Sequence, residues 1–332
     1  MFSIVSPWER FGENMCLIFR RVTLAIILCL LARISGNATT SINTDVTNKS
    51  VVFFFAADPK GEVIPTKQVA TGFLISVPIK DKHTSYLFLV TARHVVDPIW
   101  MGCESVNPTR LFLRVNKKQY NPQTDSTGIG FVPIDLIKDG KPAWWSNKDD
   151  NVDVAVIPPP KELLTDADYA IEYIGFRNFG KTEEIAKLNI GSQIASTGLV
   201  PGLEGQKRNY PIFKFGKVAS IPDEMISYPC DPRLPNSPQS RPLRVWWLGA
   251  NLVPGNSGSP VYFDPLFGPG GDISAGEPRP MIIGLQSLSL TGGDLAGMTP
   301  AKYIIEVISQ LVPADADLTL GAPDTAPPAP GR

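Results

Sequence analysis

The sequence predicts a mainly-β chain of antiparallel strands in two lobes, and three observations carry that prediction. Short β-branched and aromatic runs recur at 51–55, 72–77, 86–91, 110–115 and 152–157, and a second series follows at 192–197, 213–221, 243–248, 259–263 and 281–288. Clusters of Gly, Pro, Asn and Asp separate them, as turns between strands do. The long amphipathic helices that a parallel βαβ protein needs between its strands are missing. With 332 residues, 43% of them hydrophobic and 19% charged, the chain is long enough for burial to hold it together.

Charge and rare residues remove whole classes of function. Lys plus Arg number 31 against 32 Asp plus Glu, so no basic surplus exists to neutralise a phosphate backbone, and nucleic acid is not expected as a partner. Two histidines, His83 and His94, and four cysteines are a poor supply for zinc sites of three histidines or four cysteines. No metal and no organic cofactor are expected.

Residues 22–32 form an uncharged apolar run behind Arg20 and Arg21, followed by Ser35, Gly36 and Ala38. This pattern reads as a signal peptide over 1–38, with cleavage near Ala38. A membrane span, the runner-up, needs about 20 apolar residues, and Arg33 ends this run earlier. The start is either Met1 or Met15, the latter giving a more compact leader. The expected destination is secreted or periplasmic, with no stable membrane anchor after cleavage. Cleavage removes Cys16 and Cys29 and leaves Cys103 and Cys230 in an oxidising compartment; whether they are bridged stays open.

The first lobe is expected at about 50–165 and the second at about 190–312, joined by a mixed-charge stretch over 165–190. Residues 222–242, with six prolines counting both ends, read as a surface insertion, either passive or in contact with substrate. Ile304, Ile305, Ile308 and Leu311 at helical spacing behind Pro300 predict a C-terminal helix packed on the second lobe. Residues 313–332, rich in Ala, Pro and Asp, are expected to be disordered.

The most specific segment is Pro254-Gly255-Asn256-Ser257-Gly258-Ser259-Pro260. Gly255 allows a tight turn in which the Gly255 and Ser257 amides point to one spot, where negative charge on an oxygen would be stabilised. Ser257 is then a candidate nucleophile, and a serine hydroxyl needs a neighbouring base. His83 lies in a polar hairpin turn, whereas His94 stands where an apolar strand runs out, so His94 is the candidate base. Asp153, alternating with Val152 and Val154, is a carboxylate that would need a buried partner, and His94 fits that role.

In that order, Thr91-Ala92-Arg93-His94-Val95, Asp153-Val154-Ala155-Val156 and Gly255-Asn256-Ser257-Gly258-Ser259-Pro260 resemble the three signature segments of trypsin-like (chymotrypsin-fold) serine peptidases. The resemblance covers about 50–312. Thr71-Gly72-Phe73-Leu74-Ile75-Ser76 and Gly216-Lys217-Val218-Ala219-Ser220 are similar to strands of the Deg/HtrA branch. It implies two antiparallel six-stranded β-barrels with a C-terminal helix, and a site in the cleft between them. His94 would be the general base, Asp153 its orienter, Ser257 the nucleophile, and the Gly255 and Ser257 amides the oxyanion hole. Asn251 would occupy the floor of the side-chain pocket, disfavouring Lys or Arg, and Ser287, Leu288 and Ser289 would bind extended polypeptide by strand addition.

Departures from that pattern matter too. Asn256 replaces the aspartate that captures a freshly cut N-terminus in digestive proteases, so activity without that proteolytic switch is expected. Ser259 replaces a glycine, and nothing after the helix suggests a PDZ domain. The expected activity is serine endopeptidase, hydrolysing peptide bonds of proteins through an acyl-enzyme. The alternative is an inactive peptide-binding module on the same fold. An α/β-hydrolase esterase is disfavoured by the missing helices and the order of the three groups.

Overall fold

The computed structural model describes residues 44–102, 105–165, 168–203, 205–229, 240–263, 280–290 and 294–321. The expected signal peptide over 1–38, Cys103 and Cys230 lie outside the described residues. A short helix α1 (Thr44–Ser50) leads into β1 (Val51–Ala57), β2 (Val63–Pro78) and β3 (Ser85–Thr91). Two single-turn helices follow, α2 (Arg93–Val96) and α3 (Pro98–Met101), then β4 (Arg110–Asn116) and β5 (Ile129–Asp135). The lobe continues through a minimal hairpin, β6 (Ile137–Lys138) and β7 (Lys141–Pro142), to β8 (Trp145–Ser146) and β9 (Ala155–Ile157). β1, Val-Val-Phe-Phe-Phe-Ala-Ala, is buried along almost its whole length. Its apolar run is therefore continuous, because both of its faces meet protein.

These strands form one sheet in the order β5-β4-β1-β2-β3-β9-β8, with β10 (Ile174–Gly175) added in parallel to β2. Among the described residues the first lobe differs from the six-stranded barrel implied by the family resemblance: its sheet has eight strands and its hydrogen-bonded ladder is not closed. Two physical features stop it. β5 carries Pro133 opposite Phe112, which offers no N–H to a further neighbour and marks an edge strand. At the other end β8 and β9 have only 2 and 3 residues, too short to carry a ladder onward.

The connecting stretch contains α4 (Lys161–Thr165), β10 and α5 (Thr182–Ile185), with Phe176 and Phe179 fully buried. The second lobe comprises β11 (Gln193–Gly198), β12 (Ile212–Ser220), β13 (Ile226–Pro229), β14 (Ser240–Leu243), β15 (Trp246–Gly249), β16 (Pro260–Phe263), β17 (Met281–Ser289) and β18 (Leu295–Pro300). Six of these close a barrel, β11-β12-β15-β18-β17-β16, as expected of this half. β13 and β14 form a separate ribbon within the segment read as an insertion, and Ile226 and Tyr228 pack against a cluster containing Trp100, Met101, Leu243, Val245 and Leu288.

The C-terminal helix α6 (Ala301–Leu311) forms as its periodicity predicts, but its packing differs from the expectation. It touches β9 of the first lobe as well as β17 and β18 of the second, and Ile304 and Ile308 belong to the same buried cluster as Phe53, Phe54 and Leu89. Asn147 fixes it further, donating from Nδ2 to Tyr303 O (3.3 Å) and Glu306 Oε2 (2.9 Å). Beyond the helix, residues 313–321 depart from the predicted disorder. Lys80 N donates to Asp315 O (2.8 Å), Asp317 N to Pro78 O (2.7 Å) and Gly321 N to Arg177 O (2.9 Å), while Ala316 is buried. Backbone pairing supplies the order that the composition could not. Residues 322–332 lie outside the described residues.

Candidate active site

Register places the first two groups. β3 and β9 run antiparallel with Leu89 opposite Ile157, Val90 opposite Val156 and Thr91 opposite Ala155. Continuing two residues past the strand ends sets Asp153 beside the start of α2. There Asp153 holds His94 at two points, accepting from its backbone N–H on Oδ1 (3.0 Å) and facing Nδ1 with Oδ2 (2.7 Å). An ionised carboxylate only accepts, so Nδ1 carries the proton and Nε2 is left as the basic nitrogen. Asp153 is 1% exposed between fully buried Val152 and Val154, and the His94 side chain keeps 17% exposure. Burial pushes the imidazole pKa down, but the charge of Asp153 and its hydrogen bond more than reverse this, leaving it above the usual 6.5. His83 is exposed, in line with its reading as a solvated turn residue.

Asp149 and Asp150, the carboxylates that precede Asp153, are both paired with arginines. Asp149 bonds Arg244 Nε, which holds its carboxyl below the usual range. Asp150 accepts from Arg93 Nη1 (2.7 Å) and Arg241 Nη2 (2.6 Å). Arg93 and Arg241 also lie over the Trp100 ring, at 4.6 and 4.2 Å from its centroid, an arrangement favoured by the negative face of indole. The β13–β14 ribbon is thereby fastened beside the element that carries His94.

The third group arrives from the second lobe. The turn holding Ser257 rests on Thr71 and Thr91: Thr71 N donates to Ser257 O (2.9 Å), Thr71 Oγ1 to Gly255 O (2.8 Å) and Thr91 Oγ1 to Thr71 O (2.8 Å). Gly258 is required for this approach, because a Cβ there would lie 2.1 Å from Thr71 O and its φ is +87°. Ser257 is thus seated against β2, the neighbour of the strand that ends three residues before His94. Among the described residues, its hydroxyl makes no hydrogen bond to the imidazole. Gly255 has φ +96°, and neither its amide nor that of Ser257 donates a hydrogen bond among the described residues, whereas Asn256 N (to Val253 O, 3.0 Å), Gly258 N (to Gln286 O, 2.7 Å) and Ser259 N (to Asn256 O, 2.8 Å) are all engaged. Two free donors therefore flank a turn whose other amides are tied down.

Asn256 is buried at the centre of this turn. Its Oδ1 accepts from Val253 N (3.0 Å) and Lys214 Nζ (3.1 Å), and its Nδ2 donates to Leu199 O. Burial holds the Lys214 ammonium below the usual lysine value. Ser259 is accommodated because its neighbour is a glycine: a Cβ on Gly198 would lie 1.9 Å from Ser259 Oγ.

Asn251 is exposed at the start of the same loop. In β17, Ser287 is buried with its Oγ directed at Gly297 O (3.4 Å), Leu288 is buried in the Trp100 cluster, and Ser289 is half-buried. Pairing with β16 reaches only Leu285, opposite Pro260, and the bonds between Gln286 and residues 258–259 end it. From Ser287 onward this edge of β17 has no strand partner among the described residues. A cavity of about 560 Å³ adjoins His94 on the other side, lined among others by Lys67, Val69, Pro98, Val106 and Arg110.

No protein-family profile and no curated protein matches the chain. Solved structures do. The MamO protease domain from Magnetospirillum magneticum, in its apo form, is 13% identical, with a TM-score of 0.43, over 81% of this chain and 98% of that one. Deg5 is 15% identical, with a TM-score of 0.42, over 80% and 90%. The inactive form of the Rv3671c protease, from M. tuberculosis, is 16% identical, with a TM-score of 0.38, over 83% and 97%. At such identities and scores, what the site does has to be argued from its own atoms.

Chemically, those atoms supply a basic nitrogen oriented by a buried carboxylate, a hydroxyl on a neighbouring turn, two free amides around it and an unpaired strand edge. Thr71, Gly198, Lys214 and Leu199 were not singled out by sequence reasoning as parts of the site. Their roles depend on pairings between segments far apart along the chain, and no local pattern encodes these.

Proposed function

We propose that this chain is a serine endopeptidase acting on extended polypeptides through an acyl-enzyme. The observation that carries the reading is the two-point hold of Asp153 on His94, at 2.7 and 3.0 Å, because a buried carboxylate that fixes an imidazole tautomer prepares Nε2 to take a proton. In this reading His94 removes the Ser257 proton as the hydroxyl attacks the scissile carbonyl. The Gly255 and Ser257 amides receive the developing oxyanion. His94 then gives the proton to the leaving amine, and water repeats the sequence on the ester. Asp153 keeps the imidazole oriented throughout. Substrate backbone pairs with the free edge of β17 over 287–289. The buried Leu288 contributes backbone only.

The leader over 1–38 would direct the protein to a secreted or periplasmic location. Among the described residues no helix is long and apolar enough to cross a membrane.

One observation favours a second reading, a peptide-binding module without turnover: the absence of a Ser257–His94 hydrogen bond among the described residues. Unliganded catalytic contacts are often loose and tighten when substrate binds, so a chemical probe separates the two. A fluorophosphonate should label wild-type protein at Ser257 and leave Ser257→Ala unlabelled, with hydrolysis of an unfolded protein lost by about a millionfold in the variant. Wild-type protein that is folded and unlabelled would be a binder.

A further inference from the structure

The turn that presents Ser257 is organised from within by the Asn256 side chain, and that side chain is itself held from outside the turn. Its Nδ2 reaches Leu199 O, and its Oδ1 takes one donor from within the loop, Val253 N, and one from a distant strand, Lys214 Nζ at 3.1 Å. Lys214 stands on β12 opposite Ser196 of β11, within the ladder of the closed barrel. Its backbone is thus fixed by a rigid element, and its ammonium is the charged donor on a buried amide oxygen. A charge-assisted bond of this kind is stronger than a neutral one.

We infer that Lys214 is a positioning residue for the oxyanion amides, acting through Asn256 to hold the Gly255–Ser257 turn in its competent shape without any cleavage of the chain. The inference deepens the peptidase reading and rests on it for its catalytic consequence. Gly255 and Ser257 N–H are both unbonded among the described residues, so neither donor fixes its own peptide; the turn is held by Thr71 on Gly255 O and Ser257 O, by Asn256 N on Val253 O, and by the Asn256 side chain. Remove the ammonium and Oδ1 keeps only a donor that belongs to the same loop. The loop is then tied to itself on that side, no longer to the barrel. A lysine side chain built into the barrel supplies this cation permanently.

The test uses full-length Lys214→Met, Lys214→Arg, Asn256→Ala and the Lys214→Met/Asn256→Ala double variant, with two readouts. Hydrogen exchange of the bonded amides of Asn256, Gly258 and Ser259 should accelerate at least about tenfold in Lys214→Met while the β1–β4 core stays protected. The rate of fluorophosphonate labelling should fall by about tenfold or more, with kcat reduced and KM for a peptide substrate unchanged. Lys214→Arg should keep most of both properties, and the double variant should be no worse than Asn256→Ala, since both changes break one contact. Unchanged exchange at 256–259 in folded Lys214→Met, or full additivity in the double variant, overturns the inference. Faster exchange in a protein whose wild type never labels would leave the ordering role standing and defeat the peptidase reading instead. Should Lys214→Met fail to fold, Lys214→Gln, shorter and uncharged, carries the same comparison.

Discussion

At Asp153 the two opposing influences on His94 can be separated by one substitution. In the wild type the carboxylate outweighs burial and lifts the imidazole pKa above 6.5. His94 therefore stays protonated, and useless as a base, to a higher pH than a free histidine, and activity should rise with pH through that raised value. Asp153→Asn removes the charge and leaves burial unopposed, so the acid limb of kcat/KM should move below 6.5 while kcat drops about ten-thousandfold through loss of the correct tautomer. A pH–rate profile of both proteins checks the sign, and an acid limb that stays put would mean that Asp153 does not govern the imidazole. His94, Asp153 and Ser257 were legible as candidates because each sits in a local sequence context with its own chemistry. The Gly198–Ser259 fit was not, since it exists only where β11 passes under the turn. Gly198→Ala should cost about 1–3 kcal/mol in urea unfolding, as overpacking does, and Ser259→Gly should restore much of that loss by removing the oxygen with which the new methyl collides.

Strands and turns set how far the lobes can be joined. Thr71 in β2 ties three parts together through one hydroxyl, donating to Gly255 O and accepting from Leu199 N (3.0 Å). Thr71→Val keeps the shape and removes both bonds, leaving the buried Leu199 amide without a partner, which costs about 1–3 kcal/mol. Urea unfolding should show that loss, and fluorophosphonate labelling of Ser257 should slow; a folded variant that labels at the wild-type rate would release Thr71 from any part in seating the turn. Most strands could be read from apolar runs such as 51–55 and 281–288, whose length and composition leave little alternative. The closure of the first lobe could not. Strand count came from family resemblance, whereas Pro133 and the brevity of β8 and β9 decide where a ladder stops. Order over 313–321 was hidden for a related reason: Asp315, Ala316 and Asp317 look unstructured in isolation and are held by the backbone of residues 78–80.

For the molecule as a whole, α6 matters more than its 11 residues suggest. Ile304, Val307 and Ile308 are buried in the cluster that includes Phe53 and Leu89, and each fully buried aliphatic side chain contributes about 1.5–3 kcal/mol. Their sum rivals the net stability of about 5–15 kcal/mol typical of a domain. A chain ending at Pro300 should therefore lose near-ultraviolet dichroism and cooperative unfolding in both lobes together, and a truncated protein that still unfolds in one sharp transition would show that the helix is an accessory.

The position of that helix also sets an order of events during synthesis. Its apolar face is made only after the described strands of both lobes, so the buried cluster it completes is the last part of the interior to close. Until those residues have been synthesised, strands such as Val51–Ala57 and Ser85–Thr91 keep apolar surface in contact with water.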